Sequence, residues 1–334
     1  MDVDDVEQVA ATGALPRWDR VQHLVVEAHA RYRDHAAGDV ADYIPVLAAV
    51  DPALFGVSVA VVDGELHEAG DTGVEFSVQS ISKAFVYALV CDELGHEKAF
   101  DVIGVNNTGL PFNSVVAIEL NDGHPMNPMV NAGALATTAL VPGETPEDKW
   151  EAVRSGLSRF AGRELVVDED VYRSEAETNH RNRAIAQLLE SYGRIRVDPL
   201  EVVDVYTRQC SLLVDARDLA VMGATLADGG VNPLTGDRVV SATVCRDLLA
   251  VLAATGLYER SGEWLFEIGL PGKSGVAGGL VTVAPGKVGI GTYAPPLDSA
   301  GNSVRGQVAT AYLSRALGLN IFASSSHFSG GTST

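Results

Sequence analysis

Ser80 and Lys83 stand three positions apart, directly after an alternating segment (Val74 to Val78) and at the start of an apolar-periodic run. On a helix such positions share one face, so the Lys83 amine can reach toward the Ser80 oxygen. A serine hydroxyl is a weak nucleophile at neutral pH, and a desolvated, uncharged lysine is one of the few side chains able to take its proton. The pair predicts acyl transfer through an ester on Ser80. A second lysine, in Lys273-Ser274-Gly275, lies between the turn Gly269-Leu270-Pro271-Gly272 and a β-rich run from Val276 to Val283. The ordinary alternative makes Ser80 a helix N-cap and Lys273 a solvated surface lysine; the two motifs together favour chemistry.

The elements that must carry these residues follow from periodicity. Trp18 to Ala37 has helix-spaced apolar residues among charges and reads as an amphipathic helix. Phe55 to Val62 is β-rich, and Asp63-Gly64 is a turn signal before Glu65 to Glu68, which predicts a hairpin. The Ser80 helix follows, with Phe85, Val86, Leu89, Val90 and Leu94 as its apolar stripe and Gly95 as its stop. From Asn106 to about Leu257 the pattern is mostly helical, including Trp150 to Ala161, Asn182 to Tyr192, Pro199 to Cys210, Ala216 to Ala227 and Ala242 to Ala254. Strand periodicity returns at Val276 to Ala284 and Val288 to Ala294, and Asn302 to Leu317 closes as a helix. Strands at both ends with helices between them predict an α+β fold. Residues 1–75 and 260–322 would form an α/β subdomain, 76–259 a mainly helical subdomain starting with the nucleophile helix, and 323–334 a disordered tail rich in Ser, Gly and Thr. The site is expected between the two subdomains.

Composition narrows the function. The chain has 334 residues, 46% of them hydrophobic, and a formal charge of −20 distributed along its length. That charge disfavours a nucleic-acid partner. No apolar run approaches the length of a bilayer span, and the first residues show no secretory leader pattern. Cys91, Cys210 and Cys245 are odd in number and widely spaced, which predicts reduced thiols and a cytoplasmic location. Neither HExxH nor CxxC occurs, so no metal site and no cofactor are expected.

A serine and lysine at a helix start and a later Lys-Ser-Gly resemble two of the three motifs of the serine β-lactamase and penicillin-binding superfamily. The third, Ser-x-Asn or Tyr-x-Asn, is absent from the sequence. Three longer strings carry a closer resemblance: Phe76-Ser77-Val78-Gln79-Ser80-Ile81-Ser82-Lys83, Asn127-Pro128-Met129-Val130-Asn131-Ala132-Gly133-Ala134, and Gly269 to Gly279. They look like those of the serine-dependent glutaminases, over a stretch running from Tyr43-Ile44-Pro45 to Gly301-Asn302-Ser303. The resemblance implies a β-lactamase/DD-peptidase-like fold, with an antiparallel sheet of mixed connectivity flanked by helices and an all-helical subdomain. It implies hydrolysis of L-glutamine, with Ser80 as nucleophile, Lys83 as proton acceptor and Tyr206 as proton relay. It also implies substrate binding by Tyr43, Ser80, Asn131, Glu175, Asn182, Tyr206, Tyr258 and the Val276 backbone, in a homodimer or homotetramer. One departure is Asn107-Thr108-Gly109, where the family commonly has Pro-Ser-Gly.

These residues suit a small zwitterion. Glu175 would neutralise the α-ammonium, and Asn131, Asn182 and Tyr43 would donate to the α-carboxylate, because unpaired charges are costly to bury. Each residue also has a plainer reading. Asn131 suits a helix cap, Glu175 and Asn182 lie in a charged stretch whose default is a solvated face, and Tyr206 and Tyr258 fit core aromatics. Lys83 must be neutral to act, and burial, the helix N-terminus and a charged Lys273 are each expected to lower its pKa. Two other functions remain open at this point: a β-lactamase or peptidase-like hydrolase, and a non-catalytic glutamine-binding protein.

Overall fold

The computed structural model describes residues 6, 15–42 and 44–324. Tyr43 and residues 325–334, most of the expected tail, lie outside the described residues. The α+β expectation holds. Five strands form one antiparallel sheet in the order β2-β1-β7-β6-β5: β1 Gly56–Val61, β2 Leu66–Gly70, β5 Gly272–Ser274, β6 Gly279–Ala284 and β7 Val288–Tyr293. β3 (Phe76–Ser77) and β4 (Leu213–Val214) form a separate two-residue ribbon. The predicted hairpin is present, with Ala60 opposite Leu66 across the Asp63-Gly64 turn. All six residues of β1, β6 and β7 are buried. Such strands read as continuous apolar runs because both sheet faces are covered.

One face is covered by the helices Trp18–Tyr32 and Val304–Ala316, whose Leu24, Val25, Ala309 and Leu313 meet Val57, Val59 and Ile290. Each such side chain fully withdrawn from water contributes about 1.5–3 kcal/mol before the entropy of ordering it. The other face is covered by Ala216–Ala227. That helix lies almost on the strand backbone, because a Cβ at Gly289 would stand 2.1 Å from the Ala220 carbonyl oxygen. Although it falls in the stretch read as the helical half, it belongs to the sheet's own packing. Beyond it, a helical block includes Asn131–Leu140, Pro146–Ala161, Glu169–Thr178, His180–Ser191, Pro199–Cys210 and Ala242–Thr255.

The helix that follows Ser80, Ser82–Leu94, packs within the helical block against Asn131–Leu140, Pro146–Ala161 and Ala242–Thr255 and is buried on nearly every face from Ser82 to Cys91. Its single apolar stripe in the sequence is therefore incomplete as a description, since Ser82 and Lys83 are buried as well. It ends at Gly95, whose φ of +84° suits glycine. Phe76 of β3 stacks on Tyr293 of β7 with ring centroids 4.1 Å apart, tying the strand that leads into Ser80 to the main sheet. Among the described residues, no helix is long and apolar enough to cross a membrane.

Candidate active site

Ser80 is the middle residue of a short 3-10 turn, Gln79–Ile81, that leads into the Ser82 helix. The turn opens on Gln79 at φ +51°, a left-handed conformation that non-glycine residues seldom adopt. Opposite it is the bend between β5 and β6. Lys273 and Ser274 lie on β5, but Val276, expected at the head of a strand, sits in the bend because Gly275 and Gly278 break the run. The two segments nearly touch: a Cβ at Gly275 would be 3.0 Å from the Val78 carbonyl oxygen. Between them opens a cavity of about 1060 Å³, which Ser80, Asn131, Glu175, Asn182, Tyr206 and Val276 all line. Asp42 and Ile44, the neighbours of Tyr43, line it too.

Each wall residue is delivered by an element with its own local logic. Asp198 caps the Pro199–Cys210 helix through Leu200 N–H (2.7 Å), and that helix presents Tyr206 and Cys210. Asp168 caps Glu169–Thr178, which presents Glu175. Asn131 is the first residue of its helix, but Val130 holds the cap position and no side chain caps it. The Asn131 side chain faces the site instead, accepting from Lys83 Nζ (2.7 Å) and donating to Asn182 Oδ1 (2.9 Å).

Lys83 is 1% exposed, and its amine also donates to the Met129 carbonyl oxygen at 3.2 Å. Burial lowers its pKa to about 8, so a substantial neutral fraction exists near neutral pH. The expected role of Lys273 is reversed. Lys273 is fully buried, 4.1 Å above the Tyr258 ring centre, and donates to the Ser274 carbonyl oxygen at 2.7 Å. Its own pKa is driven well down, first by burial and then by repulsion from Lys83. Both amines are thus held below the ordinary lysine range by burial.

The two tyrosines have different surroundings. Tyr258, at φ +57° in the turn after Ala242–Thr255, donates its hydroxyl proton to the Ser274 carbonyl oxygen at 3.4 Å. Burial raises its pKa to about 12, partly offset by Ser80. Burial, with the Cys210 thiol beside it, raises the Tyr206 hydroxyl well above its ordinary value and holds it protonated. Glu175 accepts from Gln79 Nε2 at 2.5 Å. Burial raises the Glu175 carboxyl to about 7, against the lowering effect of that bond, so the solvated default for this charged stretch does not apply to it.

Gln79 escaped the site reading although it adjoins Ser80. Its side chain spans from Ser77 Oγ (3.1 Å) to Glu175, a link of 96 positions for which sequence spacing carries no signal. Phe112, beneath Lys83 at 5.7 Å from Nζ to the ring centre, and Cys210 were missed for the same reason. Among the described residues, no group of three or more His, Cys, Asp or Glu side chains could hold a metal ion. The cavity wall offers an alcohol at Ser80, a carboxylate at Glu175 and two linked carboxamides, Asn131 and Asn182, the first of which also holds the partly neutral Lys83 amine.

A family model described as glutaminase matches residues 38–322. The chain is 55% identical over 314 residues to glutaminase 2 of Yersinia pestis, covering 94% of this chain and 92% of that protein. It is 50% identical over 303 residues to a glutaminase of Mycobacterium ulcerans, covering 91% and 95%. A solved structure of a probable glutaminase superposes with a TM-score of 0.91 at 46% identity, covering 92% of this chain and 99% of that one.

Proposed function

The chain belongs to the glutaminase family, and on that premise we propose that it hydrolyses L-glutamine to L-glutamate and ammonia through an acyl-enzyme on Ser80. The observation that carries this reading is the polarity of the cavity. Ser80 shares the wall with Glu175, suited to an α-ammonium, and with the Asn131 and Asn182 carboxamides, suited to an α-carboxylate.

Ser80 Oγ attacks the side-chain amide carbon, and its proton passes through the Tyr258 phenol to the neutral Lys83 amine. The Ser80 and Val276 N–H groups receive the oxyanion. A preorganised donor of this kind is worth roughly 100-fold or more in rate. The proton held on Lys83 then goes to the amide nitrogen, the C–N bond breaks and ammonia leaves. Water attacks the ester, giving its proton back along the same path, and glutamate departs with Ser80 restored. Tyr206, backed by Cys210 and near Glu175, shapes the cavity wall and is the second candidate for proton transfer to the leaving group.

Ammonia release from glutamine and asparagine by the wild type, Ser80→Ala and Lys83→Ala tests this. The wild type should release ammonia from glutamine, both variants should lose turnover, and Ser80→Ala should still bind L-glutamate in calorimetry. Turnover by Ser80→Ala, or hydrolysis of nitrocefin in place of glutamine, overturns it. A cytoplasmic homodimer or homotetramer is the accompanying proposal. Its support is the family resemblance and the three buried, unpaired cysteines; light scattering of the purified protein decides the assembly.

A further inference from the structure

We infer that Gln209, acting through Ser82, is a positioning residue that sets the nucleophile turn. This rests on the glutaminase reading only for the kinetic part of its test. Gln209 lies on the Pro199–Cys210 helix, one residue before Cys210, and Ser82 begins the nucleophile helix. Gln209 Nε2 donates to Ser82 Oγ at 2.9 Å, and the Ser82 hydroxyl donates to the Gln79 carbonyl oxygen at 2.7 Å. The Ser82 backbone N–H donates to the same oxygen. Thr138 Oγ1, from the Asn131–Leu140 helix, lies 3.5 Å from Gln209 Oε1. Gln79, Ser82, Thr138 and Gln209 are each between 0% and 4% exposed, so water cannot replace any of these bonds.

The direction of the chain of bonds matters. A hydroxyl has one proton; because Gln209 donates to Ser82, that proton is left for the Gln79 oxygen. The carbonyl of Gln79 and the N–H of Ser80 belong to one planar trans peptide and point opposite ways. Holding the carbonyl toward Ser82 therefore aims the Ser80 N–H away from the helix, to the side where an oxyanion would form. The same bond steadies Gln79 in its left-handed conformation, and the Gln79 side chain in turn holds Glu175. One buried carboxamide thus bears on both Ser80 and Glu175.

Gln209→Met removes the donor while keeping chain length, and Ser82→Ala removes the hydroxyl. In each, kcat normalised to folded protein should fall roughly 10- to 100-fold, the range set by a displaced oxyanion donor, and KM should rise together with it. The double variant should be no slower than the slower single one, because both act through the bond to Gln79. Hydrogen exchange of the free enzyme should show lost protection at residues 79–82 with the rest of Ser82–Leu94 unchanged. Wild-type kinetics in both single variants, a kcat loss matched by the unfolded fraction at constant KM, multiplicative losses in the double variant, or unaltered exchange at 79–82 would each overturn the inference. A wild type inactive on glutamine refutes the glutaminase reading instead, and the exchange result then decides the role of Gln209 by itself.

Discussion

In the proposed mechanism the pH dependence of kcat/KM follows from Lys83 and the half-buried Glu175 titrating in the free enzyme. Lys83 acts as a base only when uncharged, and burial lowers its pKa to about 8. Glu175 holds an ammonium only when ionised, and burial raises its pKa to about 7. Both requirements are met as pH rises. Between pH 6 and pH 8.5 the neutral fraction of Lys83 grows roughly 80-fold, and the ionised fraction of Glu175 roughly 10-fold, by simple titration. The expected gain in kcat/KM is therefore on the order of 800-fold, with a limiting logarithmic slope near two below pH 7 and near one between pH 7 and pH 8. The parameters should separate: kcat reports Lys83, because a bound ammonium keeps Glu175 ionised, while KM carries the Glu175 limb. Glu175→Gln should lower kcat/KM at every pH and leave a single limb of slope one. Steady-state ammonia release in a constant-ionic-strength buffer series measures both. A profile flat from pH 6 to pH 8.5, or an unchanged slope of two in Glu175→Gln, refutes the reasoning.

Other expectations follow from the same contacts. Asn131→Asp places a carboxylate where the carboxamide oxygen sits 2.7 Å from Lys83 Nζ; it should hold Lys83 charged, shift the kcat limb to higher pH by a unit or more, and cut activity at pH 7 over tenfold. Tyr258→Phe removes the hydroxyl proposed to carry the Ser80 proton and should lower kcat on the order of 100-fold, with a smaller loss for Tyr206→Phe; equal losses would count against Tyr258 as the first proton carrier. Gly289→Ala drives a Cβ into the Ala220 carbonyl oxygen and should cost about 3 kcal/mol of stability, visible as a fall of several degrees in Tm by calorimetry. An unchanged Tm would show that the Ala216–Ala227 helix moves freely over β7.

The readings that succeeded from sequence depend on neighbours in the chain. Pro199–Cys210 and Ala216–Ala227 appear with the bounds read from their periodicity, because Asp198 and Asp215 each satisfy the first free N–H groups locally. The β1–β2 hairpin came from Asp63-Gly64. Residues quoted in motifs could still be misjudged wherever burial sets their behaviour. Asn131 suits a cap by type, yet its helix is capped by backbone geometry alone and its carboxamide is spent on Lys83 and Asn182. Glu175 sits in a stretch of charges, and only packing of the Glu169–Thr178 helix against the cavity removes it from water.

The sequence by itself determined most of the long helices and the β1–β2 hairpin, since those depend on dihedral preference and spacing along a few residues. Tertiary structure alone decided that Tyr258 reaches the Ser274 carbonyl oxygen, that Lys83 and Lys273 are both buried and held below the ordinary lysine range, and that Gln79 reaches Glu175. Those outcomes turn on distance and desolvation among groups up to about 190 positions apart, and the energy of a buried charge or hydrogen bond exists only once the surrounding chain has excluded water.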